Sequence, residues 1–97
     1  MPVYIDNYNA PFGRMVMCHL IADTTEELLA MVDTIGVQRK WIQYPGTANE
    51  HFDISLAKKK LAVAAGAVEI RARDYARMVN ERAAGKAMSP PEPQTLF

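Results

Sequence analysis

Sulfur crosslinks, long apolar runs and net charge are all missing from this sequence. Its single cysteine, Cys18, has no second thiol to pair with, so no internal disulfide supports the fold, as suits a reducing compartment. No stretch approaches the roughly 20 apolar residues of a membrane span, and the opening Met1-Pro2-Val3-Tyr4-Ile5-Asp6 has no basic segment followed by an apolar run. A cytoplasmic location and no membrane partner are therefore expected. The net charge is zero, which removes the basic excess that binding to duplex nucleic acid demands. The charge is unevenly spread, however. Residues 1–54 hold three basic against seven acidic side chains, and the remainder eight against four. Two halves of opposite sign attract each other within one fold or across a dimer.

With 97 residues, 49% hydrophobic and 23% charged, the chain has the composition of one globular domain. A single compact domain is expected over residues 1–87, followed by a proline-rich flexible tail over 88–97 that contains Pro90, Pro91 and Pro93. Val3-Tyr4-Ile5 is β-prone, residues 7–13 are rich in turn formers, and Met15 to Ala22 is nearly all apolar on both alternating faces, as in a strand covered on two sides. Thr24-Thr25-Glu26-Glu27 opens a helix that Leu28, Met31, Val32 and Ile35 continue and Gly36 ends. Val37 to Tyr44 reads as a strand, His51 to Ile54 as a short one, Ser55 as the cap of a second helix ending at Gly66, Val68 to Ile70 as a brief strand, and Ala72 to Ala84 as a third helix. The order predicts an α/β (or α+β) fold: a small mixed sheet of about four or five strands with two βαβ-like units and a C-terminal helix.

In such sheets ligands sit beyond the C-terminal ends of strands, where helix N-termini present free N–H groups. That rule selects His19 to Thr24 and His51 to Lys58. His51 and Asp53 are two apart on a strand and share a face, while Phe52 and Ile54 point to the core. Ser55 opens the helix and Lys58 follows one turn in, so a phosphate or carboxylate held by Ser55, Lys58 and the local N–H groups is the functional reading. The bland alternative is a serine cap, a His-Asp pair and solvated lysines. Cys18 next to His19 is no nucleophile and base, because adjacent strand residues face opposite ways. His19, His51 and Asp53 could supply three metal ligands if their strands are neighbours. Without a close His pair on a helix or a cysteine cluster the spacing assigns no metal, and no cofactor is named by the pattern. Two His-containing strands are also found in phosphoesterases with paired histidines, but those carry a hydroxyl residue two places after each His, where this chain has Ile21 and Asp53. Trp41 and Gln43 share a face with Arg39 if this segment is extended, and Trp41 is then a base-stacking surface or an ordinary core or interface aromatic.

Taken in order, Val3-Tyr4-Ile5-Asp6, His19 to Leu28, Trp41-Ile42-Gln43, His51-Phe52-Asp53, the Ser55 to Lys59 stretch and Gly66-Ala67 resemble a family of short bacterial and phage proteins, the domain-of-unknown-function family numbered 4031. The resemblance covers roughly residues 2 to 70 and leaves out the third helix and the tail. It implies a compact stand-alone domain with no assigned reaction. It also makes Asp6, His19, Asp23, Trp41, Gln43, His51, Asp53 and Lys58 parts of one shared pattern. The reading is thus a domain that binds a small anionic, phosphorylated or nucleotide-like ligand at strand-to-helix junctions, with pairing into a homo-oligomer. In a phage such a domain would sequester a signalling nucleotide. Two alternatives stay open. One is a small hydrolase or phosphotransfer enzyme with His51 or His19 as general base oriented by Asp53 or Asp23. The other is a protein-interaction module, with no small-molecule site, that uses the basic third helix and the tail.

Overall fold

The computed structural model describes residues 3–8, 10–12 and 15–89, with backbone alone at residues 10–12 and 15. Along the chain lie β1 (Val3–Ile5), β2 (Ala10–Phe12), β3 (Met15–Ala22), α1 (Thr25–Ile35), a single 3-10 turn (Arg39–Trp41), β4 (Phe52–Ser55), α2 (Leu56–Ala64), β5 (Val68–Glu69) and α3 (Ala72–Ala83). This is a mixed sheet with three helices, the architecture expected from the order of apolar patterns. β2 is an addition: it falls within the residues 7–13 read as loop and pairs antiparallel with the start of β3.

β3 is the spine of the sheet. Along one edge it pairs antiparallel with β2 and β1, and along the other it pairs antiparallel with β4. β1 pairs onward with β5 in parallel. Because β3 opposes both β1 and β4, those two strands and β5 run the same way. The β4–α2–β5 segment is therefore a crossover between parallel strands that skips over β3 and β1. The α1 segment makes no such crossover, since it returns the chain to β4 antiparallel to β3. The strand expected over Val37 to Tyr44 is replaced by the 3-10 turn and one bridge, Gln43 to His51. Gln38, Arg39 and Lys40 are too polar for a covered strand, and the Arg39 guanidinium forks onto Asp33 at 3.0 and 2.6 Å, which ties the segment back to α1.

Strand alternation sends side chains to two cores. Val3, Ile5, Cys18, Leu20, Ala22, Phe52 and Ile54 meet Leu28, Met31, Val32 and Ile35 of α1 and Ala62 of α2 on one face. On the other face Tyr4 and Ile21 meet Ile70, Met78 of α3 and Met88. Helix α1 starts and stops as expected: the Thr24 hydroxyl accepts from the Glu27 N–H at 3.2 Å, and Gly36 takes the left-handed φ of 79° that closes a C-cap. Met88 is buried, and Ser89 donates its N–H to Glu81 at 2.9 Å and accepts from Arg77 at 2.8 Å. The rest of the proline-rich tail, residues 90–97, lies outside the described residues. Among the described residues, no helix is long and apolar enough to cross a membrane.

Candidate functional site

The polar face of the sheet is the one that α3 covers. His19 and Asp53 are direct cross-strand partners on β3 and β4. His51 precedes Asp53 by two residues and Asp6 follows Tyr4 by two, so all four side chains belong to this face. The sequence reading of His51 and Asp53 as facemates, with Phe52 and Ile54 turned to the core, matches the burial.

Asp6 is wholly buried, at 0% exposure. Its carboxylate accepts from the His19 N–H at 2.7 Å, the Tyr8 N–H at 3.3 Å and His19 Nδ1 at 2.7 Å. Burial of a carboxylate is tolerable only with such donors. The contact assigns a proton to Nδ1, so that in the neutral ring Nε2 holds the lone pair. The Asp6 hydrogen bond holds the His19 pKa above the ordinary imidazole value, burial opposes it, and the charges of Asp6 and Asp53 add to the rise. The His19 ring is stacked between two tyrosines, Tyr75 at 4.4 Å and Tyr8 at 5.1 Å between centroids.

His51 is held in the same sense. Its Nδ1 lies 2.6 Å from the Asn49 carbonyl oxygen, which can only accept, so Nδ1 carries the proton and Nε2 is again the open nitrogen. The backbone of Gln43 fixes this strand end by exchanging two hydrogen bonds with His51, at 2.8 and 3.1 Å. The preceding loop is pinned by Glu50, which accepts from the Thr25 hydroxyl at 2.7 Å and the Gly46 N–H at 2.8 Å. The Tyr75 hydroxyl donates to Asn49 Oδ1 at 2.6 Å, joining α3 to the same loop, and burial pushes the Tyr75 phenol well above its ordinary pKa, with Asp6 and Asp53 adding to the rise. Tyr44 stands on the outer side of His51 at 6.1 Å, 61% exposed, with a left-handed φ of 49° that a bulky side chain rarely adopts.

Both open nitrogens face one oxygen. Asp53 Oδ1 is 3.3 Å from His51 Nε2 and 3.8 Å from His19 Nε2, and one ligand atom from each of the three residues lies within 4.8 Å of the others. Asp53 is 42% exposed, so solvent reaches the cluster from that side.

The other residues read from sequence lie elsewhere. β3 and β4 are antiparallel, so the ends of the two histidine-bearing strands point in opposite directions and share no mouth. Asp23 is four residues past His19, about 13 Å along the strand direction; burial and Glu27 raise its pKa and Arg82 opposes them. Ser55 is occupied as the α2 cap, accepting from the Lys58 N–H at 3.2 Å. The Lys58 ammonium donates to the Ile35 carbonyl at 2.8 Å and so caps the C-terminal end of α1, away from the cluster. Trp41 is exposed, with Lys40 over its ring at 5.0 Å, and Gln43 contributes through its backbone. Tyr8, Tyr44, Asn49 and Tyr75 also touch the cluster and were not among the residues picked out from the sequence.

A mixed α/β domain with two tautomer-fixed histidines and a carboxylate on the sheet face beside its C-terminal helix is the class that fold and site define. The chain belongs to the family described as Protein of unknown function (DUF4031), whose profile matches residues 3–82. That match takes in nearly all of α3, and with it Tyr75, beyond the point near residue 70 where the resemblance was expected to stop. No curated protein and no solved structure matches the chain.

Proposed function

We propose that this domain binds a small phosphorylated, nucleotide-like ligand at the His19–His51–Asp53 cluster, on the sheet face and away from the strand-to-helix junctions. The observation that carries the reading is the meeting of this polar cluster with Tyr8, Tyr44 and Tyr75, of which Tyr8 and Tyr44 are 56% and 61% exposed. A nucleobase stacked on such a ring gains about 1–3 kcal/mol whatever its identity, and the polar end of the same ligand then falls on the cluster. Binding without turnover would suit a phage protein that sequesters a nucleotide. A second reading, hydrolysis, is favoured by one contact: with His51 Nδ1 committed to Asn49, Nε2 is the nitrogen free to act as general base.

Melting the full chain against a panel of nucleotides and inorganic phosphate, with and without divalent metal, tests both readings, because a ligand selective for the folded state raises Tm. The proposal expects a nucleotide to raise Tm more than phosphate does and the increment to shrink in Tyr44→Ala. A nucleotide recovered unchanged supports binding, and turnover abolished by His51→Ala supports hydrolysis. A panel with no response, beside a protein partner released by deletion of the tail, would instead make the domain an interaction module. Light scattering on the same samples tests the homo-oligomer that forms part of this proposal.

A further inference from the structure

We propose that His19 Nε2, His51 Nε2 and Asp53 Oδ1 are the three protein ligands of a divalent transition-metal ion, with Asp6 and the Asn49 carbonyl as the groups that orient the imidazoles. Each imidazole has given its proton to the Nδ1 side, where an acceptor holds it at 2.7 or 2.6 Å. What converges on the inner side is therefore two nitrogen lone pairs and a carboxylate oxygen, three acceptors with 3.3 and 3.8 Å separations to that oxygen. Acceptors turned toward one another repel unless a cation lies among them. A proton on each Nε2 would satisfy the two contacts at the expense of two cationic rings, whereas one metal ion serves all three atoms with both rings neutral.

The dimensions agree. Ligands at zinc-type bond lengths of about 2.0–2.1 Å in a tetrahedral shell stand roughly 3.3 Å apart; the His51–Asp53 separation of 3.3 Å already fits, the His19–Asp53 separation is 3.8 Å, and all three atoms lie within 4.8 Å of one another, so His19 is the ligand that must move in. Two imidazoles and one carboxylate suit zinc, iron, cobalt, nickel or manganese better than magnesium or calcium, which take mostly oxygen ligands. The carboxylate–histidine arrangement of Asp6 and His19, and the carbonyl behind His51, are the outer contacts that metal-binding imidazoles use. Three protein ligands leave at least one coordination position open on the exposed Asp53 side. That position suits a water or an anionic oxygen of the ligand.

The inference stands apart from nucleotide binding and is tested without any nucleotide. Cobalt(II) titrated into the full chain should give visible absorption bands that saturate at one ion per chain and are displaced by zinc. Zinc should raise Tm of the native protein. In Asp53→Asn, a change at a half-exposed side chain, the metal-free Tm should stay close to native, with cobalt affinity falling at least about tenfold and the zinc increment shrinking with it. His51→Gln should lose the bands. Absence of saturable binding of either ion, or binding of equal strength in Asp53→Asn and the native protein, overturns the assignment. A nucleotide response in a protein that ignores metals would leave the ligand reading standing and remove this one. Saturable metal binding lost in Asp53→Asn, in a protein that ignores nucleotides, does the reverse.

Discussion

Replacing Asp6 by asparagine keeps the shape of a wholly buried side chain but exchanges one carboxylate oxygen for an amide NH2. The carboxylate accepts three hydrogen bonds, two of them from His19 at 2.7 Å. The asparagine oxygen can keep the bond from the His19 backbone, which leaves its NH2 against the Nδ1–H of the ring, donor against donor. A lost charge-assisted bond and the clash together cost about 2 kcal/mol, a fall in Tm of roughly 8–16 °C for a domain of this size. The ring relieves the clash by moving its proton to Nε2, which then presents N–H where a lone pair stood. The account therefore predicts a second loss that general destabilisation does not give: cobalt affinity reduced by about 10–100-fold, measured below the Tm of the folded variant. Circular dichroism melts without metal and cobalt titrations followed by absorption separate the two. If Asp6→Asn lowers Tm yet binds cobalt as the native chain does, Asp6 is structural only and its role in orienting His19 is refuted.

Lys58→Ala should lower stability by about 0.5–1 kcal/mol, through loss of the charge at the end of α1, while nucleotide and metal responses stay at the native level in the same melts. A weakened response would return Lys58 to the site. Tyr44→Asn should raise stability by about 1 kcal/mol in urea unfolding, since asparagine tolerates the left-handed backbone better, and should at the same time reduce the nucleotide-dependent rise in Tm. Asp74 accepts from the Arg71 N–H and guanidinium at the start of α3. Burial works to raise its pKa, but these bonds and the charges of Arg71 and Arg77 outweigh it, so the folded value is lowered. A depressed carboxyl adds stability that is present above its unfolded pKa and vanishes as pH falls through the folded value. Asp74→Ala should accordingly cost about 1 kcal/mol at neutral pH, and the gap to the native protein should close below roughly pH 4. A gap of constant size across that range contradicts the assignment.

Strand parity made part of the site legible. The eight residues from Met15 to Ala22, apolar but for His19, form the central strand as read, and the alternation along His51, Phe52, Asp53 and Ile54 puts Phe52 and Ile54 in the core as expected. The direction of pairing was not legible. Helix signals around α1 suggested a parallel crossover, but periodicity carries no information on whether the next strand returns parallel or antiparallel, and the antiparallel return to β4 is what sets His19 opposite Asp53. The reach of Lys58 was not legible either: one turn into α2 its spacing suits an anion at the helix start, and its long side chain bonds at the end of α1. Tyr8 and Tyr75 are 67 positions apart in the numbering and sandwich one imidazole only once α3 packs on the sheet, a contact with no local signature.

The claim beneath the ligand and metal readings is that both imidazoles keep their protons on the outer nitrogen. Long-range proton–nitrogen NMR of the metal-free, nitrogen-labelled protein at mildly alkaline pH reads this directly. The account predicts protonated Nδ1 and unprotonated Nε2 for His19 and for His51, with both Nε2 signals moving when zinc is added. A proton found on Nε2 of either ring would contradict it.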